Sequence, residues 1–423
     1  MKPQNFEERL IWYFIIGTYG IYVLGMIMPL SALLGWVLFF CVCKRWLSQT
    51  ENTPENQKIH IPWVTWVWCM GMLVTLFAMY MGMTDFKLGT VFLLRGTIGW
   101  AVTSVLLALF LLSGCLPIRP EIIYRAVCIL CVQSLIAIPI AYAAAMVNLP
   151  GIIYSSPIER LIQNGPIYYN VGFYEIDFDS KKVRLLLFAP WCPALGLVSN
   201  IYFFLALQER NRIWRFLGLV GAVAMNVVSV SRAAMIYLPL VLGIMWFLPN
   251  LARPTVQIAA GIISTLAGIF NATITTAVRD SLDGLKGARA SSNEIRAALA
   301  RIALDRWKEA PIWGHGTQEP GPKVVANMPI GSHHTWVGLL FTQGIVGFFA
   351  VAIPILCSFI DLVMKVQYSQ NAKVALSILL TLFLFSFSEQ IDILSYLCWP
   401  GLILMGIAFQ EKSVKHTSVF SSI

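Results

Sequence analysis

The feature that most limits what this chain can fold into is a set of long apolar stretches recurring from one end to the other. They fall near 10–27, 29–43, 61–83, 88–114, 122–147, 185–207, 214–230, 232–249, 254–272, 335–361, 373–387 and 392–410. Most approach the roughly 20 residues that a helix needs to cross a hydrocarbon core. The second and eleventh are short, which suits a tilted or broken helix. Lipid satisfies no backbone polar group, so segments of this kind must bond internally and read as helices. Composition agrees, with 58% of residues hydrophobic, 12% charged and a mean hydropathy of +0.72. A soluble exterior cannot be built from that supply. The expectation is an all-α polytopic membrane protein with about 12 transmembrane helices in a single integral membrane domain over 1–423. The first apolar run follows the mixed-charge MKPQNFEER and precedes no small-residue cleavage site, so it reads as a retained span.

A formal charge of +9 could point to nucleic acid, but membrane proteins collect Lys and Arg for topological reasons, and no nucleic-acid partner is expected. The cysteines lie mainly inside apolar runs with no zinc-site spacing, and read as small core hydrophobes. In short loops, positive charge marks the cytoplasmic side. Lys44-Arg45, Arg119 to Arg125, Arg210/Arg212/Arg215, Arg253, Lys365 and Lys373 share one side, and both termini join it. Two long connections, 148–184 and the large 273–334 loop between the ninth and tenth helices, then lie outside, which in a bacterium is the periplasm.

That orientation collects unusual residues on the outer face. His333 and His334 close the larger loop, Arg184 ends the other, and Arg232 in "SVSRAAM" sits between two helix ends. The loop itself carries Arg279, Arg289, Arg296, Arg301 and Arg306. Arginine on the outer side at membrane depth runs against topological preference and favours a function. A guanidinium binds phosphate oxygens in a fixed fork, so arginines converging here suit a lipid-linked diphosphate. The bland alternative is snorkelling or solvation, which is the better reading of Arg289, Arg301 and Arg306.

"SSNEIRAALARIALDRWKEAPIWGHG" reads as an external helix. Ser291 and Glu294 have capping-box spacing, Ile295, Leu299 and Ile302 form an apolar stripe, and Pro311 ends it. His315 reads as a turn residue. Histidines at a helix start often only cap, whereas two in tandem beside arginines can handle a hydroxyl proton. The pair "DFDS" (Asp177, Asp179) matches an Asp-x-Asp metal pattern, but alternation in "VGFYEIDFDSKKVRL" favours a small hairpin instead, and no metal site is expected. Glu389 and Asp392 sit at the outer ends of the last two segments, where carboxylates need partners such as these arginines.

These stretches resemble the O-antigen ligase and polymerase superfamily of bacterial membrane glycosyltransferases. "SVSRAAMIYLPL" is similar to the family's Ser/Thr-Arg at a helix start, and "IRAALARIALDRWKEAPIWGHG" to its Arg segment ending in Pro-x-x-Gly-x-Gly. "SHHTWVGLLFTQGIVG" is similar to its His-Asn helix start, and "VRLLLFAPWCPALG" to its Arg-bearing helix entry. The likeness runs over about 180–350; His334 stands where the family has Asn, and Ala300 where it has an aromatic residue. The resemblance implies transfer of a glycan from undecaprenyl diphosphate, with inversion and without metal or cofactor. Lipid A-core or a second lipid-linked glycan would be the acceptor. It implies His333, Arg296 and Arg232 as catalytic residues, with Arg184, Arg289, His334 and Glu389 binding substrate, in a bacterial inner membrane. The alternative from another class is a flippase or transporter of the same lipid-linked oligosaccharides.

Overall fold

A computed structural model describes residues 2–54, 58–159, 165–177, 181–250, 253–270, 275–276, 290–325 and 327–411. Arg279, Arg289 and Asp179, all singled out above, lie outside the described residues. Helices occupy every one of the twelve apolar segments. In order they are α1 (Phe6–Ile16), α2 (Thr18–Val23), α3 (Ile27–Leu47), α4 (Trp63–Asp85), α5 (Thr90–Val102), α6 (Leu106–Ser113) and α7 (Pro120–Met146). Four short strands follow: β1 (Ile152–Ser155), β2 (Asn170–Gly172), β3 (Tyr174–Ile176) and β4 (Val183–Leu185). The remaining helices are α8 (Cys192–Leu207), α9 (Arg212–Val228), α10 (Arg232–Phe247), α11 (Pro254–Ile269), α12 (Ala290–Trp307), α13 (Thr335–Lys365), α14 (Gln370–Phe385) and α15 (Ser395–Gln410).

Five stretches are long and apolar enough to cross a bilayer: α3, α4, α5 with α6, α7 and α13. Others, such as α8 and α14, have 16 residues. At 1.5 Å per residue that is about 24 Å, less than the roughly 30 Å hydrocarbon core. Several boundaries differ from expectation. The second segment is not short, because α3 runs for 21 residues. The sixth starts at Cys192 rather than 185, since β4 and a turn take up the residues before it. The fourth breaks at Thr103, whose carbonyl accepts from Ser395 Oγ at 2.7 Å. The same carbonyl also accepts from the Leu106 amide at 2.9 Å, so Ser395 adds a side-chain bond where the helix restarts.

Packing inside the bundle relies on small residues, as expected where lipid gives helices no hydrophobic reason to associate. Cys128 and Cys131 of α7 lie over Gly218 and Gly221 of α9, where any side chain would collide with them. Those cysteines therefore pack as small apolar groups.

The two ends of the bundle differ chemically. At one end Arg45 pairs with Glu7 (2.7 Å), Arg119 with Glu8 (2.7 Å), Arg125 with Glu209 (2.7 Å) and Arg210 with Glu121 (2.8 Å). There too Lys365 Nζ bonds Asp361 and the Phe409 carbonyl, each at 2.8 Å. These are the Lys- and Arg-rich turns grouped from sequence, and here acidic partners tie them together. The opposite end carries the two β-hairpins. The expected alternation appears as β3 paired antiparallel with β4, with Glu175 opposite Arg184.

Candidate functional site

At that opposite end, the start of α13 is stitched to the turn between α14 and α15. Thr335 donates its amide to the Ser386 carbonyl (2.9 Å) and its hydroxyl to the Glu389 carbonyl (2.6 Å). The Thr335 hydroxyl also accepts from the Ile391 amide at 3.0 Å. This network holds Glu389 beside the residues that precede α13. Its side chain is 2% exposed, accepts from Trp191 Nε1 at 2.9 Å through Oε2, and faces Arg296 Nη2 at 3.7 Å through Oε1. Arg296 comes from α12 and also donates to the Ser388 carbonyl at 3.3 Å. Leu299 and Ala303 anchor that helix, with Ala303 packing among Ile330 and Phe341. The apolar stripe packs as expected, and α12 is already helical at Ala290, one residue ahead of Ser291.

Arg184 approaches from β4. Its Nη1 lies 3.0 Å from Glu175 and 3.5 Å from Asp177, and its Nε donates to the Ser229 carbonyl at 3.3 Å. Ser229 begins the turn in which Ser231 caps α10, so Arg184 touches the turn that positions Arg232. Asp177 is thereby an arginine partner, whatever its neighbour Asp179 does.

The two histidines separate. His334 is the cap of α13, its Nδ1 accepting from the Val337 amide at 3.4 Å. His333 caps nothing and holds a left-handed backbone, φ 64°, which costs a non-glycine residue about 1 kcal/mol or more. Burial and the charge of Arg296 push its imidazolium down to about 4, so the ring is neutral near pH 7 and able to accept a proton. Burial raises the Glu389 carboxyl to about 7, against the pull of Arg296, Trp191 and Arg184. Three buried polar atoms here lack a hydrogen-bond partner among the described residues: Arg184 Nη2, Ser332 Oγ and Glu389 Oε1. Unsatisfied groups are scarce in folded interiors, and a cluster of them fits a place that receives a polar ligand.

Other singled-out residues have structural tasks. His315 is buried between the rings of Phe86 and Phe341, with centroids at 4.6 and 4.5 Å. The Pro-x-x-Gly-x-Gly stretch is a docking strip for α13. Gly316 donates to the Thr342 carbonyl at 2.8 Å, and Ile345 to the Pro311 carbonyl at 2.9 Å. Those bonds exist because Gly344 breaks α13 with φ 63°, a backbone conformation that glycine adopts at little cost. Any side chain there would also overlap Ile312. Arg306 is held by Glu309 and Glu319, at 2.9 and 3.0 Å. Trp191 carries no local sequence signal of a task, and its indole donates to Glu389.

Residues 217–352 match the O-antigen ligase family. The match supports placing the chain in the O-antigen ligase superfamily. It spans about a third of the sequence and carries Arg232, Arg296, His333 and His334. Arg184 and Glu389 lie outside it and join the family's residues through geometry alone. The chain is also 28% identical over 234 residues to a protein of Haemophilus influenzae described as uncharacterised. That alignment covers 48% of this chain and 58% of the relative.

Proposed function

We propose that the chain transfers a glycan from undecaprenyl diphosphate to an acceptor hydroxyl, as a metal-independent inverting glycosyltransferase of the inner membrane. The observation that carries this is the meeting of Arg184, Arg296, Glu389 and His333 at one end of an apolar helical bundle. The diphosphate takes a bidentate hold on Arg296 and on Arg184, displacing Glu175, whose side chain is 38% exposed and free to swing away. Arg232 adds charge from the neighbouring turn. The acceptor oxygen attacks the anomeric carbon from the face opposite the leaving diphosphate, and its proton passes to His333. The glycosidic C–O bond breaks with its electron pair on the diphosphate, where fixed guanidinium charge stabilises it. As the anion settles, its charge offsets Arg296 and raises the basicity of His333 when the proton arrives.

In this reading all twelve segments cross the membrane, both termini are cytoplasmic, and 148–184 and 273–334 face the periplasm. Val324, 80% exposed, is a suitable probe. Val324→Cys should react with a membrane-impermeant maleimide in intact spheroplasts, above the background from the native cysteines. Reaction only after lysis would reverse the orientation and remove the periplasmic site. For the reaction itself, purified protein in vesicles with EDTA should couple the glycan of an undecaprenyl-diphosphate donor either to lipid A-core or to a second lipid-linked glycan. The acceptor used separates ligase from polymerase. Transfer lost with EDTA and restored by magnesium or manganese would overturn metal independence. Movement of donor across the vesicle without any glycan product would favour a flippase.

A further inference from the structure

A cavity of about 430 Å³ is lined in part by Ile393, from the turn that follows Glu389. It is bounded by α4, α5, the break in α13 and the strip following Gly316, and among its lining residues are Arg95, Tyr168, Gln318, Gln343 and Ile393. Arg95 is the one charged residue among those that line it. It belongs to α5, inside one of the stretches long and apolar enough to cross a bilayer. Unlike Arg184 and Arg296, it makes no hydrogen bond or ion pair among the described residues. Gln343, 9% exposed, has a buried Oε1 with no hydrogen-bond partner among the described residues. An exposed cation and a buried amide oxygen, neither with a partner among the described residues and both lining one cavity, mark a place for a polar ligand.

Side-chain contacts link the cavity to the first site. Gln318 donates to Gln390 Oε1 at 3.1 Å, beside Glu389. The Tyr168 ring stands edge-on to that of Trp191, with centroids 5.8 Å apart, and Trp191 holds Glu389. Ile393 adjoins Asp392, whose carboxylate accepts from Ser104 at 3.4 Å. The cavity that bears Arg95 and the cluster of Arg184, Arg296 and Glu389 therefore meet at the Glu389–Ile393 turn. Arg95 is five residues into α5, about 8 Å along its axis, a depth at which a long side chain reaches phosphate at the membrane surface.

We propose that this cavity seats the phosphorylated head of the acceptor lipid, with Arg95 on a phosphate oxygen and Gln343 accepting from a sugar hydroxyl. Naming the ligand as acceptor rests on the transferase reading above. A phosphorylated lipid A-core and a lipid-diphosphate glycan both carry the required chemistry.

Binding in nanodiscs of phosphatidylcholine tests this without turnover, with retention of the folded peak on size exclusion required for each variant. If the source is lipid A-core, Arg95→Ala should weaken the phosphorylated form by about tenfold or more and leave the dephosphorylated form unchanged. If it is a lipid-diphosphate glycan, wild-type protein should bind two per chain and Arg95→Ala one. Gln343→Leu should weaken the same probe, which a snorkelling arginine would not require. Unchanged affinity and stoichiometry for every probe in both variants would overturn the proposal and leave Arg95 an interfacial anchor. Arg95-dependent binding in a protein that transfers nothing would keep the phosphate site and refute the transferase reading.

Discussion

His333→Asn should reduce transfer by about 10²- to 10⁴-fold, the range for removing a positioned general base. His334→Asn should be nearly silent. The asymmetry follows from backbone geometry. Asn is among the better helix caps, so at 334 it replaces the bond that Nδ1 accepts from Val337. Asn also tolerates the left-handed conformation better than most residues, so at 333, where φ is 64°, it preserves the fold while removing the base. Donor binding should survive in both variants, because guanidinium groups make those contacts. Steady-state rates with saturating donor, together with donor affinity, check this. Full activity in His333→Asn would remove the imidazole from the chemistry, and Glu389, with its carboxyl near 7, would be the next candidate base.

The sequence carried the helices and the gathering of arginines well, because both depend on strong local signals. A run of apolar residues in lipid has no alternative to a helix. The sidedness of Lys and Arg then brings Arg184, Arg296 and Glu389 to one end before any contact is known. The hairpin holding Arg184 was legible from alternation across β3 and β4. Other features had no local signal. A helix apolar all round does not reveal which face meets which neighbour, so Arg95 passed as part of a span. The break at Gly344 was hidden, since a glycine inside an apolar run gives no sign of a positive φ; the backbone and the bonds from 311–316 reveal it. The adjacent histidines look equivalent in sequence. They part because one lies in the left-handed region and the other caps α13. Trp191 gave no signal either, as an indole's partner is a matter of tertiary structure.

The second large effect concerns the arginines. Arg296→Ala and Arg184→Ala should each lower transfer by about 10²- to 10³-fold, as for other fixed groups that stabilise developing negative charge. Lys at 296 should rescue poorly, since an ammonium lacks the forked geometry. Arg296→Ala should still fold, because Glu389 can take a proton once its neighbour is gone. The most direct test of the central claim is the affinity of the protein in nanodiscs, with EDTA present, for undecaprenyl diphosphate compared with undecaprenol. The diphosphate should bind at least about a hundredfold more tightly, as two charge-assisted contacts would give. Arg296→Ala and Arg184→Ala should each lose most of that preference. Affinity should also rise as pH falls through 7, when Glu389 loses its charge beside Arg296, and Glu389→Gln should abolish that dependence. Equal affinity for the two lipids, or a diphosphate preference untouched by either arginine variant, would contradict a diphosphate site at the start of α13.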